Sequence, residues 1–182
     1  EISQGTLQNI YEFQTLVCEL FGMDISNASV YDGASGLAEA MIMACDKKKP
    51  EIVLSRGVHK EYIETVETYA NGMGFRVKYA DLKNGITPVD AYEAAATEET
   101  AAYVVMYPNF YGCIEDIGKI AEAAHARKAL LIVVVGDLSS MGVLEAPGNL
   151  GADIVVGDGM PFAGPLGFSG PSIGLLACTE KL

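Results

Sequence analysis

Basic residues are scarce in this sequence: 12 Lys+Arg stand against 24 Asp+Glu in 182 residues, a net charge of −12. That balance excludes the clustered cationic surface that nucleic-acid backbones and anionic membranes reward, so neither is expected as a partner. Long apolar runs are missing too. The longest, Ala129 to Val135, is strand-sized and far short of the roughly 18–20 residues a membrane helix needs. The four cysteines (Cys18, Cys45, Cys113, Cys178) include no C-x-x-C pair, and only His59 and His125 accompany them. No zinc set arises at recognisable spacing, and no metal is expected. Cys18 and Cys178 lie in apolar runs and read as buried thiols of a reducing cytoplasm. The phosphate-loop motif, a helix-opening G-x-G-x-x-G, G-x-S-x-G and H-E-x-x-H are all absent, which removes the usual nucleotide, hydrolase and metalloprotease signatures. Glu1-Ile2-Ser3 has no Met, basic region or apolar region, so the chain is expected to be a piece of something longer.

What is present is a globular composition. Half of the residues are hydrophobic and 20% are charged, enough for one domain with a sizeable core and against disorder. Apolar residues at three- and four-residue steps predict a helix over Thr6–Phe21, stopped by Gly22. Asn27–Tyr31 is predicted as strand, followed by a helix that opens at Asp32-Gly33-Ala34-Ser35-Gly36 and runs to about Cys45. Further strands are expected at 51–55, 75–79, 101–107, 130–135, 152–156 and 173–178. Helices are expected at 60–73, from Pro88, and over 114–127. Alternating strands and helices imply right-handed crossovers and a mostly parallel sheet between helical layers, in one α/β domain spanning 1–182.

Ligands of such sheets bind beyond the carboxyl ends of the strands, so the residues there matter most. Asp32-Gly33-Ala34-Ser35 offers backbone N–H groups at a helix start, suited to a phosphate, or is a plain helix cap. His59 stands at a strand-to-helix junction, where a capping role is the alternative. Asp137 ends a β-branched strand and suits a ring nitrogen or a metal, or else caps Leu138-Ser139-Ser140. His125 reads as a surface residue. Gly157 to Gly174 holds six glycines in eighteen residues, a tight loop whose backbone must approach something closely.

The order of these pieces resembles the large domain of the aspartate-aminotransferase-like pyridoxal-phosphate enzymes, a three-layer fold. That resemblance implies a mostly parallel seven-stranded sheet with one antiparallel strand. It also implies Gly33, Ala34 and Ser35 at the cofactor phosphate, His59 over the ring, Asn109 near the ring hydroxyl and Asp137 at the pyridine nitrogen. A Schiff-base lysine is then expected at about Asp158 to Met160, but no lysine occurs between Lys128 and Lys181.

Longer motifs narrow the resemblance. Glu1-Ile2-Ser3-Gln4-Gly5-Thr6-Leu7-Gln8, Asn27-Ala28-Ser29-Val30-Tyr31-Asp32-Gly33-Ala34, Tyr107-Pro108-Asn109-Phe110-Tyr111-Gly112, Ile114-Glu115-Asp116 and Gly151-Ala152-Asp153-Ile154-Val155-Val156-Gly157 resemble the family of glycine dehydrogenase (decarboxylating) subunit 1, the α-type half of the split P-protein of the glycine cleavage system. The match runs over essentially the whole chain and implies the central, cofactor-type domain of that subunit. It further implies a cytoplasmic heterotetramer with subunit 2, which carries the pyridoxal phosphate covalently. In that complex glycine is decarboxylated and the aminomethyl group passes to the lipoyl arm of H-protein. The isolated piece is expected to be inactive, with no catalytic residue assigned to it and a vestigial pocket at the residues named above. The alternative is a domain that binds pyridoxal phosphate or phosphate non-covalently without catalysis of its own.

Overall fold

A computed structural model describes residues 2–163 and 172–182. Among the described residues, helices and strands follow the chain in alternation: α1 (Ile2–Phe21), β1 (Ile25–Ser26), α2 (Gly33–Ala44), β2 (Glu51–Ser55), α3 (Lys60–Met73), β3 (Arg76–Ala80), α4 (Val89–Ala95), β4 (Thr100–Met106), α5 (Ile117–Ala126), β5 (Leu130–Val135), β6 (Ile154–Asp158), α6 (Met160–Ala163) and β7 (Gly174–Cys178), with two 3-10 turns at Leu138–Gly142 and Pro147–Leu150 between β5 and β6. The strands form one seven-stranded sheet in the order β1-β7-β6-β5-β4-β2-β3. Neighbours from β6 to β3 run parallel, and β7 lies antiparallel to both β6 and β1. The expected single reversed strand is therefore β7.

The central strands β4 and β5 are buried throughout, Leu130 at the start of β5 only partly, because helices cover both faces. On one face Tyr103, Val105, Leu131 and Val133 pack with Phe21 of α1, Tyr92 of α4, and Ile117 and Ile120 of α5. On the other, Leu54, Val104 and Ile132 meet Leu37 and Met41 of α2 and Val66 of α3. Alternate residues of one strand thus serve two separate cores, as a period of two dictates.

Several boundaries differ from expectation. The first strand sits at Ile25–Ser26, before the predicted 27–31; pairing lapses over the turn-prone Asn27-Ala28-Ser29 and returns as a single bridge between Val30 and Gly174. α5 starts at Ile117 because Asp116 caps it, accepting a hydrogen bond from the Lys119 amide at 3.3 Å. Pro88 stands at the N-cap of α4 and not inside its first turn. α1 begins four residues earlier than predicted, and only Val17 and Phe21 of it are buried. No helix among the described residues is long and apolar enough to cross a membrane.

Candidate functional site

The carboxyl edge of the parallel strands collects the residues singled out from the sequence. At the start of α2, Asp32 and Ser35 form a reciprocal capping box. The Ser35 amide and the Ser35 hydroxyl both donate to Asp32 Oδ1 at 2.7 Å, and the Asp32 amide donates to Ser35 Oγ at 3.1 Å. A carboxylate therefore sits where helix amides would meet an anion. Gly33 is buried, and a Cβ there would overlap the hydroxyl of Tyr62 and stand 3.2 Å from the carbonyl carbon of Gly157. Tyr62, on the first turn of α3, thus rests on the helix start. Burial, and after it the charges of Asp158 and Asp32, push its phenol pKa up, so it remains protonated.

His59 caps α3, its Nδ1 accepting from the Glu61 amide at 3.2 Å. Its ring meets Phe110 edge-on, with centroids 4.7 Å apart, and Tyr62 at 6.1 Å. Phe110 is itself fixed by its amide, which donates to the Gly57 carbonyl at 2.7 Å. The Phe110 and Tyr111 side chains lie exposed at the rim.

Beneath them Asn109 is buried and fully engaged. Its Nδ2 donates to the Gly85 carbonyl at 2.7 Å and to Glu115 Oε1 at 2.8 Å, while its Oδ1 accepts from the amides of Tyr111 (3.0 Å) and Cys113 (3.1 Å). A ring hydroxyl at Asn109 would have to displace one of these. Glu115, also buried, accepts from the Thr87 amide at 2.9 Å and hydroxyl at 3.2 Å, and Thr87 shares a 2.5 Å hydroxyl contact with Ser55 at the end of β2. This chain of polar groups ties the loops after β2, β3 and β4 together. Sequence reasoning missed Ser55, Thr87, Glu115 and Tyr62. Tyr62 stands three residues after His59, so it shares that helical face, the one signal that points to it.

Asp137, after β5, is exposed and accepts from the Ser139 amide at 2.9 Å and hydroxyl at 2.7 Å, capping the 3-10 turn that follows. At Gly136 before it, a Cβ would require the tip of the Met106 side chain to move. At the end of β6, Asp158 accepts from the Met160 amide at 2.9 Å, and Met160 opens α6. The lysines that flank the lysine-free stretch are at the wrong edge. Lys128 precedes β5, and Lys181 follows Cys178, which pairs with Ile154 at the first position of β6. Residues 164–171 of the glycine-rich loop lie outside the described residues.

Tested against pyridoxal phosphate, the residues do not fit. The phosphate amide at Ser35 is taken by Asp32, the space above Gly33 by Tyr62, and Asp32 and Asp158 add like charge. Met160 opens α6 at the position where the resemblance leads one to expect the imine-forming amine, and a thioether cannot form an imine. Away from this edge, α1 borders an apolar groove of about 490 Å³ lined by Phe13, Leu16, Leu20, Leu138, Phe162 and Leu175 among others.

Comparison with known proteins agrees with the fold and places the chain. The solved glycine decarboxylase (P-protein) of the glycine cleavage system, in inhibitor-bound form, superposes with a TM-score of 0.91 at 43% identity, over 100% of this chain and 40% of that one. A cystathione gamma lyase from Micromonospora echinospora matches with a TM-score of 0.72 at 21% identity over 90% of this chain and 41% of that one, a likeness of fold. Proteins named probable glycine dehydrogenase (decarboxylating) subunit 1 are similar over the entire chain. That of Desulfitobacterium hafniense is 50% identical and that of Desulforamulus reducens 48%, each with 41% of its own length covered. The chain thus spans about two fifths of these relatives. The family model of the glycine cleavage system P-protein matches residues 1–182. The chain belongs to the glycine cleavage system P-protein family.

Proposed function

We propose that this chain is the central domain of subunit 1 of a split P-protein, and that it supports an active site whose cofactor is held covalently by subunit 2. The complex takes glycine as substrate, decarboxylates it with pyridoxal phosphate, and hands the aminomethyl group to the lipoyl arm of H-protein in the cytoplasm. Such chemistry needs an electron sink for the carbanion left by CO₂ loss, which the protonated ring supplies when bound. The observation that carries the reading is Met160 at the head of α6, directly after β6, with no lysine at that edge of β5, β6 or β7. Asp32, His59, Asn109 and Asp137 are each engaged by a neighbour in the same chain, which supports a role other than holding the cofactor. The contribution of this chain is then rigid packing: the Ser55–Thr87–Glu115–Asn109 chain of hydrogen bonds holds the exposed Phe110 and Tyr111 in place at the rim.

The test is co-expression of the full-length polypeptide with subunit 2, followed by glycine-dependent CO₂ exchange in the presence of H-protein. Exchange is expected only when both subunits are present. Asp137→Ala and His59→Ala are expected to retain most of it, because both side chains act here as caps. Full exchange by subunit 2 alone would contradict the proposal.

A further inference from the structure

Four observations converge on the start of α2. The Asp32 carboxylate accepts from both the amide and the hydroxyl of Ser35, so the third amide of the helix meets a charge of its own chain. The Tyr62 hydroxyl fills the space over Gly33, in which no Cβ would fit. Gly33 also lies against the backbone of Gly157 in β6, so Tyr62 of α3 rests on α2 where the helix meets the strand end. Gly174, at the head of β7, approaches so closely that a Cβ there would overlap the Asp32 carbonyl, and Val30 pairs with it on both sides at 2.9 Å.

We propose that the Asp32 carboxylate and the Tyr62 hydroxyl permanently occupy the anion subsite at the start of α2, closing it to phosphate and to pyridoxal phosphate. The chain's own carboxylate neutralises the helix terminus, and the phenol joins α3 to it, which is the tying role a bound phosphate would otherwise have. The domain is then ordered without a ligand and stays closed whether or not subunit 2 carries its cofactor. The inference rests on the supporting role proposed above, and names the two side chains that keep this chain from competing for the cofactor.

The experiment is calorimetric titration of the full-length polypeptide, purified without subunit 2, with pyridoxal phosphate and separately with inorganic phosphate. Wild type is expected to give no binding heat with either. Asp32→Ser/Tyr62→Ala keeps a competent helix cap while removing the charge and the plug. It is expected to bind pyridoxal phosphate, with inorganic phosphate competing, at least about tenfold more tightly than wild type. Should circular dichroism show that this variant does not fold, Asp32→Ser/Tyr62→Phe is titrated instead, with the same expectation. Wild-type binding that phosphate displaces, or a folded variant that gains none, overturns the proposal. Either result leaves the supporting role standing, because that role is read from exchange activity with subunit 2. An exchange assay that needs no subunit 1 would in turn leave the closed subsite standing.

Discussion

Asn109 places both donors and both acceptor positions of its amide inside the chain, and it does so beneath the exposed pair Phe110 and Tyr111. Asn109→Ala would strand the amides of Tyr111 and Cys113 and the Gly85 carbonyl, and would leave Oε1 of buried Glu115 with the Thr87 hydroxyl as its remaining donor. A loss of about 2–3 kcal/mol is expected in urea unfolding, beyond the cost of deleting one contact, because buried partners are left unpaired. Glu51 gives a pH signature at the opposite edge. Burial opposes its ionisation, but hydrogen bonds from Thr100 and Thr97 and the Lys78 ammonium outweigh it and hold the carboxyl below the usual glutamate range. A depressed folded pKa stabilises above the unfolded value, about 4.3, and that gain disappears as pH falls through the folded value. The urea midpoint of wild type should therefore exceed that of Glu51→Gln most at neutral pH, with the gap closing in acid. At Met160, introducing the absent amine as Met160→Lys is expected to yield no pyridoxyl adduct after reduction with borohydride, because the subsite over Gly33 remains filled. Mass spectrometry of the reduced chain reads this directly. Capping by Asp32, Asp137 and His59 was legible in the sequence as an alternative to ligand binding, since a cap is decided within three residues. Glu115 and Tyr62 were not legible, because their partners come from other elements: Thr87 lies 28 residues from Glu115.

At the scale of elements, β7 meets the start of α2 backbone against backbone. Gly174→Ala would drive a methyl group into the Asp32 carbonyl, and no flexible side chain is there to yield. It is expected to destabilise by about 1–3 kcal/mol, as overpacking does, and to weaken the capping box with it. Thermal unfolding with amide exchange at Ser35 checks both effects together. The same edge explains what could be read from the pattern. β2, β4 and β5 are buried on both faces, so continuous apolar runs marked them clearly. β1 has two residues, and its pairing is governed by β7, some 150 residues later, through contacts such as Ser26 Oγ to the Leu176 carbonyl at 3.1 Å. No local pattern specifies that register. The two 3-10 turns between β5 and β6 escaped for a similar reason: they are held by Asp137, Gly22 and neighbouring backbone, and carry no helical periodicity.

For the whole molecule, the scarcity of basic residues and the lysine-free stretch from 129 to 180 converge on one account. The sheet, its crossovers and its single reversed strand are those of a cofactor domain, and the P-protein likeness extends over the full chain. In the proposed division of labour what differs is the site: the Asp32 carboxylate bonds the Ser35 amide and the Tyr62 phenol lies over Gly33 at the start of α2. That division of labour has a direct readout. The assembled complex of both full-length subunits, loaded with pyridoxal phosphate, is reduced with borohydride, digested and mapped by mass spectrometry. The account expects the pyridoxyl group on one lysine of subunit 2 and none within residues 1–182 of this chain. A stoichiometric pyridoxyl-lysine on this chain would contradict it.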